Sequence, residues 1–284
     1  MYKIIEKNFL AENIVMFKIK APMVAKSAKP GQFVIVRIDE KGERIPLTIC
    51  DYDRSLGTVS IVVQVVGAST CKMAKLNQGD YILDFAGPLG NASEFVNLNE
   101  EELKNKKYLF VAGGVGAAPI YPQVKYLRQL GVYCDVIIGA RSKELVILKE
   151  DIEKLGCRVY ISTDDGSLGI RGRVTDLVKK LVEEGNTYDE VVAIGPVVMM
   201  KFVSMLTKEL NIKTTVSLNS IMVDGTGMCG ACRVTVGGQT KFTCTDGPEF
   251  DGHLVDYDEV IKRQNMFRDE EVRRMHHTSE CSCF

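Results

Sequence analysis

The stretch 107-KYLFVAGGVGAAP-119 decides the fold. A short apolar run, Lys107 to Ala112, passes into Gly113-Gly114-Val115-Gly116, and helical periodicity then holds from Ala117 to Leu130. Strand, glycine turn and helix in that order form the first unit of a parallel α/β sheet. Reading onward, strands Cys134–Ile138, Arg158–Ser162 and Glu190–Ile194 alternate with helical segments Lys143–Leu155, Val174–Glu184 and Val197–Leu210. That alternation predicts an α/β parallel-sheet domain over residues 99–214, opened by the polar connector Asn99 to Glu102. Gly113, Gly114 and Gly116 permit close backbone approach, and the helix N-terminus supplies partial positive charge, so this turn suits a phosphate. It is not the G-x-G-x-x-G fingerprint, and taken alone it reads equally well as an ordinary structural turn.

Upstream, residues 1–98 read as strands. Asn13–Ile19, Gln32–Ile38 and Thr58–Val66 are rich in Val, Ile and Phe, with Lys29-Pro30-Gly31 and Lys41-Gly42 as turns. A small antiparallel barrel with one short helix, Thr70–Leu76, is expected. Downstream of residue 214, Gly, Cys and Thr become dense. Strands Arg233–Val236 and Gln239–Thr243 flank Gly237-Gly238, a hairpin signature, within a small module over residues 215–250. Residues 251–284 are expected to form a C-terminal tail, polar from Met275 onward.

Composition bounds the class. The chain has 284 residues, 45% apolar and 26% charged, and its net charge of −1 is spread along it. No basic stripe marks a nucleic-acid surface. No apolar run is long enough for a membrane span, and Met1–Leu10 is neither a signal peptide nor an anchor, so a cytoplasmic protein is expected. Nine cysteines, an odd number, in such a chain argue against disulfides. Cys50, Cys71, Cys134 and Cys157 read as small buried hydrophobes, and Cys281 and Cys283 fall in the tail. His253, His276 and His277 read as solvated, and no acid–base or nucleophilic constellation is visible, so no catalytic side chain is assigned.

The richest chemistry lies in 222-MVDGTGMCGACR-233. Plant-type [2Fe–2S] ligands are spaced C-x4-C-x2-C with a distant fourth Cys. Here Cys229 and Cys232 give the inner pair, Cys244 follows across the hairpin, and Asp224 stands where the first Cys belongs. Gly225, Gly227 and Gly230 let the loop wrap tightly and present N–H donors to anionic sulfides. Asp224 as the fourth ligand is the simplest completion, and a carboxylate, donating less than a thiolate, should raise the reduction potential. Zinc also accepts Cys-x2-Cys. Alternatively Asp224 is a solvated loop acid, with water, Cys50 or Cys71 completing the site.

Arg44-Ile45-Pro46-Leu47-Thr48 and Gly67-Ala68-Ser69-Thr70, followed by Gly87-Pro88-Leu89-Gly90, resemble the flavin-binding elements of the ferredoxin–NADP+ reductase superfamily. The resemblance implies FAD, with Arg44, Gly67, Ser69 and Thr70 at its pyrophosphate and Thr48 or Leu47, beside Pro46, at its reactive N5. The spacing carries one residue more than the family pattern. The G-G-x-G-x-A-P form ending at Pro119 is similar to that family's nicotinamide-nucleotide turn, and Gly195-Pro196 matches its nicotinamide-facing position, with Ile194 where Cys often stands. Arg141 ends the strand where the adenosine ribose is read, either favouring a 2′-phosphate or lying exposed. Asp164, Asp165 and Gly166 sit on the ligand side of the sheet.

The order barrel, nucleotide domain and C-terminal cluster module resembles dihydroorotate dehydrogenase electron-transfer subunits. Asp224, 162-STDDGSLG-169 and 246-DGPEFDGH-253 narrow the likeness to small subunits of NADH-dependent reduced ferredoxin:NADP+ oxidoreductases. That implies NAD(H) or NADP(H), FAD and a [2Fe–2S] cluster, in a heterodimer with a larger FAD/[4Fe–4S] subunit that bifurcates electrons and reaches ferredoxin. A dihydroorotate dehydrogenase subunit would carry four Cys at the cluster. A non-enzymatic redox-sensing module would show no reduction of FAD by NADH.

Overall fold

The computed structural model describes residues 1–277, without the side chains of His276 and His277. The first unit comprises β1 (Tyr2–Ala11), β2 (Ile14–Lys20), α1 (Pro22–Ser27), β3 (Phe33–Arg37), β4 (Ile45–Asp53), β5 (Thr58–Gln64), α2 (Ala68–Ala74), β6 (Tyr81–Ile82) and β7 (Asp84–Leu89). Its antiparallel strands run in the order β6-β1-β2-β5-β4-β3-β7. β6 and β7 are consecutive in sequence yet lie at opposite ends of that order, and Leu83 N–H between them bonds Ile38 O at 3.1 Å. The chain thus draws the two edges together into a nearly closed barrel, which limits exposed edges. Its interior is apolar, with Phe17, Ile61, Met73 and Phe85 buried.

The second unit begins with α3 (Glu100–Lys104), where Asn99 accepts from Glu102 N–H as an N-cap. It continues through β8 (Lys107–Gly113), α4 (Ala117–Gln129), β9 (Tyr133–Ala140), α5 (Lys149–Lys154), β10 (Arg158–Thr163), β11 (Ile170–Arg171), α6 (Val174–Glu183), β12 (Glu190–Ile194), α7 (Val197–Glu209) and β13 (Lys213–Ser217). β11-β10-β9-β8-β12-β13 are parallel throughout. Strands after β8 step outward to one side through β9 and β10, whereas β12 returns to the other side. The topological switch therefore lies between β8 and β12, where such sheets bind ligands.

Both faces of the sheet are covered. One carries α4 and α5, and there barrel residues Ile14, Cys50 and Val62 join the same core as Phe110, Ile120 and Val124. Barrel and sheet are thereby packed as one body. The other face carries α6 and α7, together with α8 (Tyr257–Gln264).

Three expectations are corrected here. β13 crosses the expected boundary at residue 214, and β16 (Glu249–Asp251) returns to pair with it antiparallel. The parallel sheet thus takes its last strand from beyond the cluster segment. Residues 251–277 are not a loose tail, since they hold the end of β16, α8 packed by Tyr257 and Val260, and α9 (Arg268–His277). Lys143–Leu155 is not one helix: Leu148 takes a left-handed φ of 58°, and regular helix begins only at Lys149. β1 lies in the strand-rich stretch but has no clear strand pattern of its own, because its alternation is broken by Glu6, Lys7 and Asn8. β14 (Arg233–Val236) and β15 (Gln239–Phe242) form the expected hairpin, with Gly237 and Gly238 both at positive φ. No helix among the described residues is long and apolar enough to cross a membrane.

Candidate functional site

The switch point opens into a cleft of about 1030 Å³. Gly113, Gly114, Gly116 and Pro119 line it from the β8–α4 turn, and Gly195 and Pro196 from the β12–α7 turn. The two turns touch: a Cβ on Gly116 would lie 2.0 Å from Ile194 O, and one on Gly195 would lie 2.9 Å from Gly113 Cα. Only glycine permits this approach. Arg141 and Asp164 line the cleft as well.

The barrel supplies the facing wall through Pro46, Leu47 and Thr48. They lie on β4 opposite Ile35, Val34 and Phe33 of β3. The barrel motif and the nucleotide motif therefore share one cavity. Arg44, Gly67, Ser69 and Thr70 stand outside this lining. Thr70 Oγ1 accepts from Val66 and Gly67 N–H at 3.0 Å, which closes the first turn of α2. Ser69 Oγ donates to Glu43 at 2.6 Å. Asp165 is also occupied locally, accepting from Ser167 N–H and Oγ, which holds its carboxyl below the usual range. Gly166 turns that loop at φ +77°.

Several further polar residues belong to the cleft that the sequence did not assign to it. Ser162 Oγ and Asn13 Oδ1 are buried in its wall without a hydrogen-bond partner among the described residues. Arg173, Asn219, Gln264 and Asn265 line it as well. The last four are isolated polar residues in loops or helix ends, with no periodicity or spacing to betray them, whereas Ser162 opens the 162-STDDGSLG-169 stretch and Asn13 the expected strand Asn13–Ile19.

Beyond the barrel wall lie the four residues expected to bind metal. Cys232 and Cys244 are buried with Sγ atoms 3.2 Å apart, packed with Met222 against Phe33 and Ile35. Phe33, Met222 and Pro248 also line the cleft. One layer of side chains thus separates the cavity from the cysteines. Burial, and next the neighbouring Cys232, push the Cys244 thiol up to about 12, with Gly227 N–H acting in the opposite direction. Asp224 accepts from Thr226 N–H at 2.7 Å and interacts with Cys229, and these bonds hold its carboxyl below the usual range. Cys229 is exposed.

The donors therefore stand as two pairs, Asp224 with Cys229 and Cys232 with Cys244. Among the described residues no three such side chains gather as a site for a single ion. The paired arrangement, with N–H groups at hand from positive-φ glycines, fits an iron–sulfur cluster.

Elsewhere, two expectations change. Cys71 is disulfide-bonded rather than a free buried thiol, and the expectations for Cys281 and Cys283 lie outside the described residues. His253 is half-buried, with Nε2 3.2 Å from Thr207 Oγ1, so it is packed rather than solvated.

Comparisons with known proteins agree with this geometry. Residues 219–256 match the iron–sulfur cluster binding domain of dihydroorotate dehydrogenase B. The chain is 60% identical over 272 residues to an uncharacterized protein in the adh 3′ region of Clostridium beijerinckii, covering 95% of this chain and 92% of that one. It is 46% identical over 269 residues to a Thermotoga maritima homolog of the dihydroorotate dehydrogenase B (NAD(+)) electron transfer subunit, again covering 95% and 92%. A solved structure from work on flavin-based electron bifurcation by the NADH-dependent reduced ferredoxin-NADP oxidoreductase matches with TM-score 0.89 and 44% identity, over 98% of this chain and 97% of that one. With a nearly closed barrel, a parallel sheet and a C-terminal iron–sulfur domain in one body, the chain belongs to the dihydroorotate dehydrogenase-type electron-transfer subunits of the ferredoxin–NADP+ reductase superfamily.

Proposed function

We propose that this chain carries electrons between NAD(H), FAD and a [2Fe–2S] cluster, as the small subunit of an electron-bifurcating NADH-dependent reduced ferredoxin:NADP+ oxidoreductase. The single observation that carries the proposal is the shared wall: Phe33, Met222 and Pro248 line the cleft, and Phe33 and Met222 also pack on Cys232 and Cys244. When bound, FAD would supply the exchange between two-electron nicotinamide chemistry and one-electron transfer, which suits a one-electron acceptor such as an iron–sulfur cluster.

The chain's own residues bind, orient and insulate. The turns at Gly113–Gly116 and Gly195-Pro196 bring the nucleotide against the barrel wall. Pro46, Leu47 and Thr48 present a mostly apolar surface to the flavin ring, with the Thr48 hydroxyl as its polar point. Arg44, Gly67, Ser69 and Thr70 hold the FAD phosphates on the family pattern. Ser69 and Thr70 would exchange their present bonds to Glu43 and the α2 turn for that role. Arg141, Asp164, Asp165 and Gly166 form the adenosine end. Asp224, Cys229, Cys232 and Cys244 hold the cluster.

Cys229, and Met228 beside it at 88% exposure, leave the cluster loop open to a second protein. This suits a heterodimer with a larger FAD/[4Fe–4S] subunit through which ferredoxin exchanges electrons. Asp224 in the first ligand position favours this reading over a dihydroorotate dehydrogenase subunit. Outside the cluster residues, Cys50, Cys134 and Cys157 are free buried thiols, which suits the cytoplasmic setting, while Cys71 is disulfide-bonded.

The test is anaerobic addition of NADH to the purified chain loaded with FAD. The expected result is bleaching of the flavin absorption within one turnover. A flavin that stays oxidised under excess NADH would leave only the redox-sensing module.

A further inference from the structure

The cluster loop is gripped from outside by two arginines. Arg263, on α8, donates through Nη2 to Ala231 O at 2.9 Å. Arg233 donates through Nη1 to Gly230 O at 3.2 Å. Gly230 and Ala231 are the two residues between Cys229 and Cys232, and both arginines line one small cleft between α8 and this loop.

Neither arginine makes an ion pair among the described residues. The obvious partner for Arg263 is Glu259, one turn earlier on α8, in the favourable i, i+4 order. Its Oε2 accepts instead from Thr235 N–H at 2.9 Å. Asp224, the nearest acid in the loop's own sequence, is engaged by Thr226 and Cys229. Both side chains therefore place positive charge beside the ligand loop with no carboxylate paired to it among the described residues.

The carbonyl bonds have a second consequence. In a trans peptide, C=O and N–H point in opposite directions. Holding the Gly230 and Ala231 carbonyls outward turns the N–H groups of Ala231 and Cys232 toward the donor side of the loop.

We propose that Arg263 and Arg233 are positioning residues that tune the cluster: they fix the N–H donors of the ligand loop and serve as its counter-cations. One-electron reduction, with NADH-reduced flavin as the donor, turns one ferric iron ferrous and adds one negative charge without making or breaking a bond. Positive charge held beside the site favours the form that carries the extra electron. Arg263 is half-buried and Arg233 exposed, so solvent and salt screen Arg263 less and its effect is the larger. The inference rests on the cluster reading of the preceding subsection.

The experiment uses the full chain, prepared anaerobically as wild type and as Arg263→Gln, Arg263→Lys and Arg233→Gln. Iron and acid-labile sulfide are counted first, and the midpoint potential is then followed by electron paramagnetic resonance. Arg263→Gln should lower the potential by about tenfold in the one-electron equilibrium, about 59 mV. Arg263→Lys keeps the charge but not the planar fork, and should fall by less. Arg233→Gln should also fall by less. An iron-replete Arg263→Gln with wild-type potential overturns the inference while leaving the cluster reading intact. A wild type without iron overturns both. Where Arg263→Gln loads no iron, the potentials of the other two variants decide by the same criterion.

Discussion

Glu249 shows how one side chain can carry a property of the assembly. Its Oε1 accepts from Ser93 Oγ of the barrel's last segment and from Gln123 Nε2 of α4, both at 2.9 Å, so three parts of the chain meet at one carboxyl. Burial, and next the nearby Glu190, raise its carboxyl from 4.5 to about 7 against the hydrogen bonds from Ser93 and Gln123. Glu94 adds to the negative field, and the nearby cation, Lys213, is shared between Glu94 and Glu190. Between pH 4.5 and 7 the folded protein keeps a proton that the unfolded chain has released. Stability from this group is therefore complete below pH 4.5 and is lost as pH rises through about 7, by up to about 3 kcal/mol. Glu249→Gln should flatten that part of the stability–pH curve, its amide donating beside Gln123 Oε1, which has no partner among the described residues. Denaturant unfolding of both proteins across this range checks it; parallel curves would refute it. None of this was legible in 246-DGPEFDGH-253, because a carboxyl's partners come from residues 93 and 123. Asp224 was legible, because its spacing from Cys229 is local and the cluster motif sets what belongs there.

Elements were legible where their pattern is local and long. β8, α4, β9 and β12 follow apolar runs and helical periodicity, and the glycine turn between β8 and α4 falls where the sequence puts it. That turn also gives the sharpest test at this scale. Gly116→Ala would drive a methyl group into Ile194 O, a backbone atom that cannot rotate away. The variant should lose about 1–3 kcal/mol of stability by overpacking. Its KM for NADH should rise about tenfold or more as the two turns part, with flavin content unchanged. Thermal unfolding and NADH kinetics check this, and a wild-type KM would show that the contact does not shape the nucleotide site. Other elements were hidden because their partners are distant. β16 is three residues long and becomes a strand only by pairing with β13. α8 has a short apolar face, and its place is fixed by Lys201–Asp258 at 2.6 Å and Ser204–Tyr257 at 2.7 Å, contacts with α7 that no local pattern reveals.

At the scale of the whole molecule, the arrangement follows from where apolar surface is shared. Barrel and sheet close on one core through Ile14, Cys50 and Val62, which fixes the cleft between the flavin wall and the nucleotide turns. The cluster segment packs on the same barrel strand, β3, whose residues back that wall. The order of modules was readable from the motifs, but their interleaving was not, since the sheet takes its last strand from residues 249–251. The account stands or falls on what Asp224, Cys229, Cys232 and Cys244 hold. The direct measurement is iron, zinc and acid-labile sulfide per chain in protein prepared without oxygen. The account predicts about two irons and about two sulfides per chain, with no zinc; a chain that carries zinc, or iron without sulfide, contradicts it.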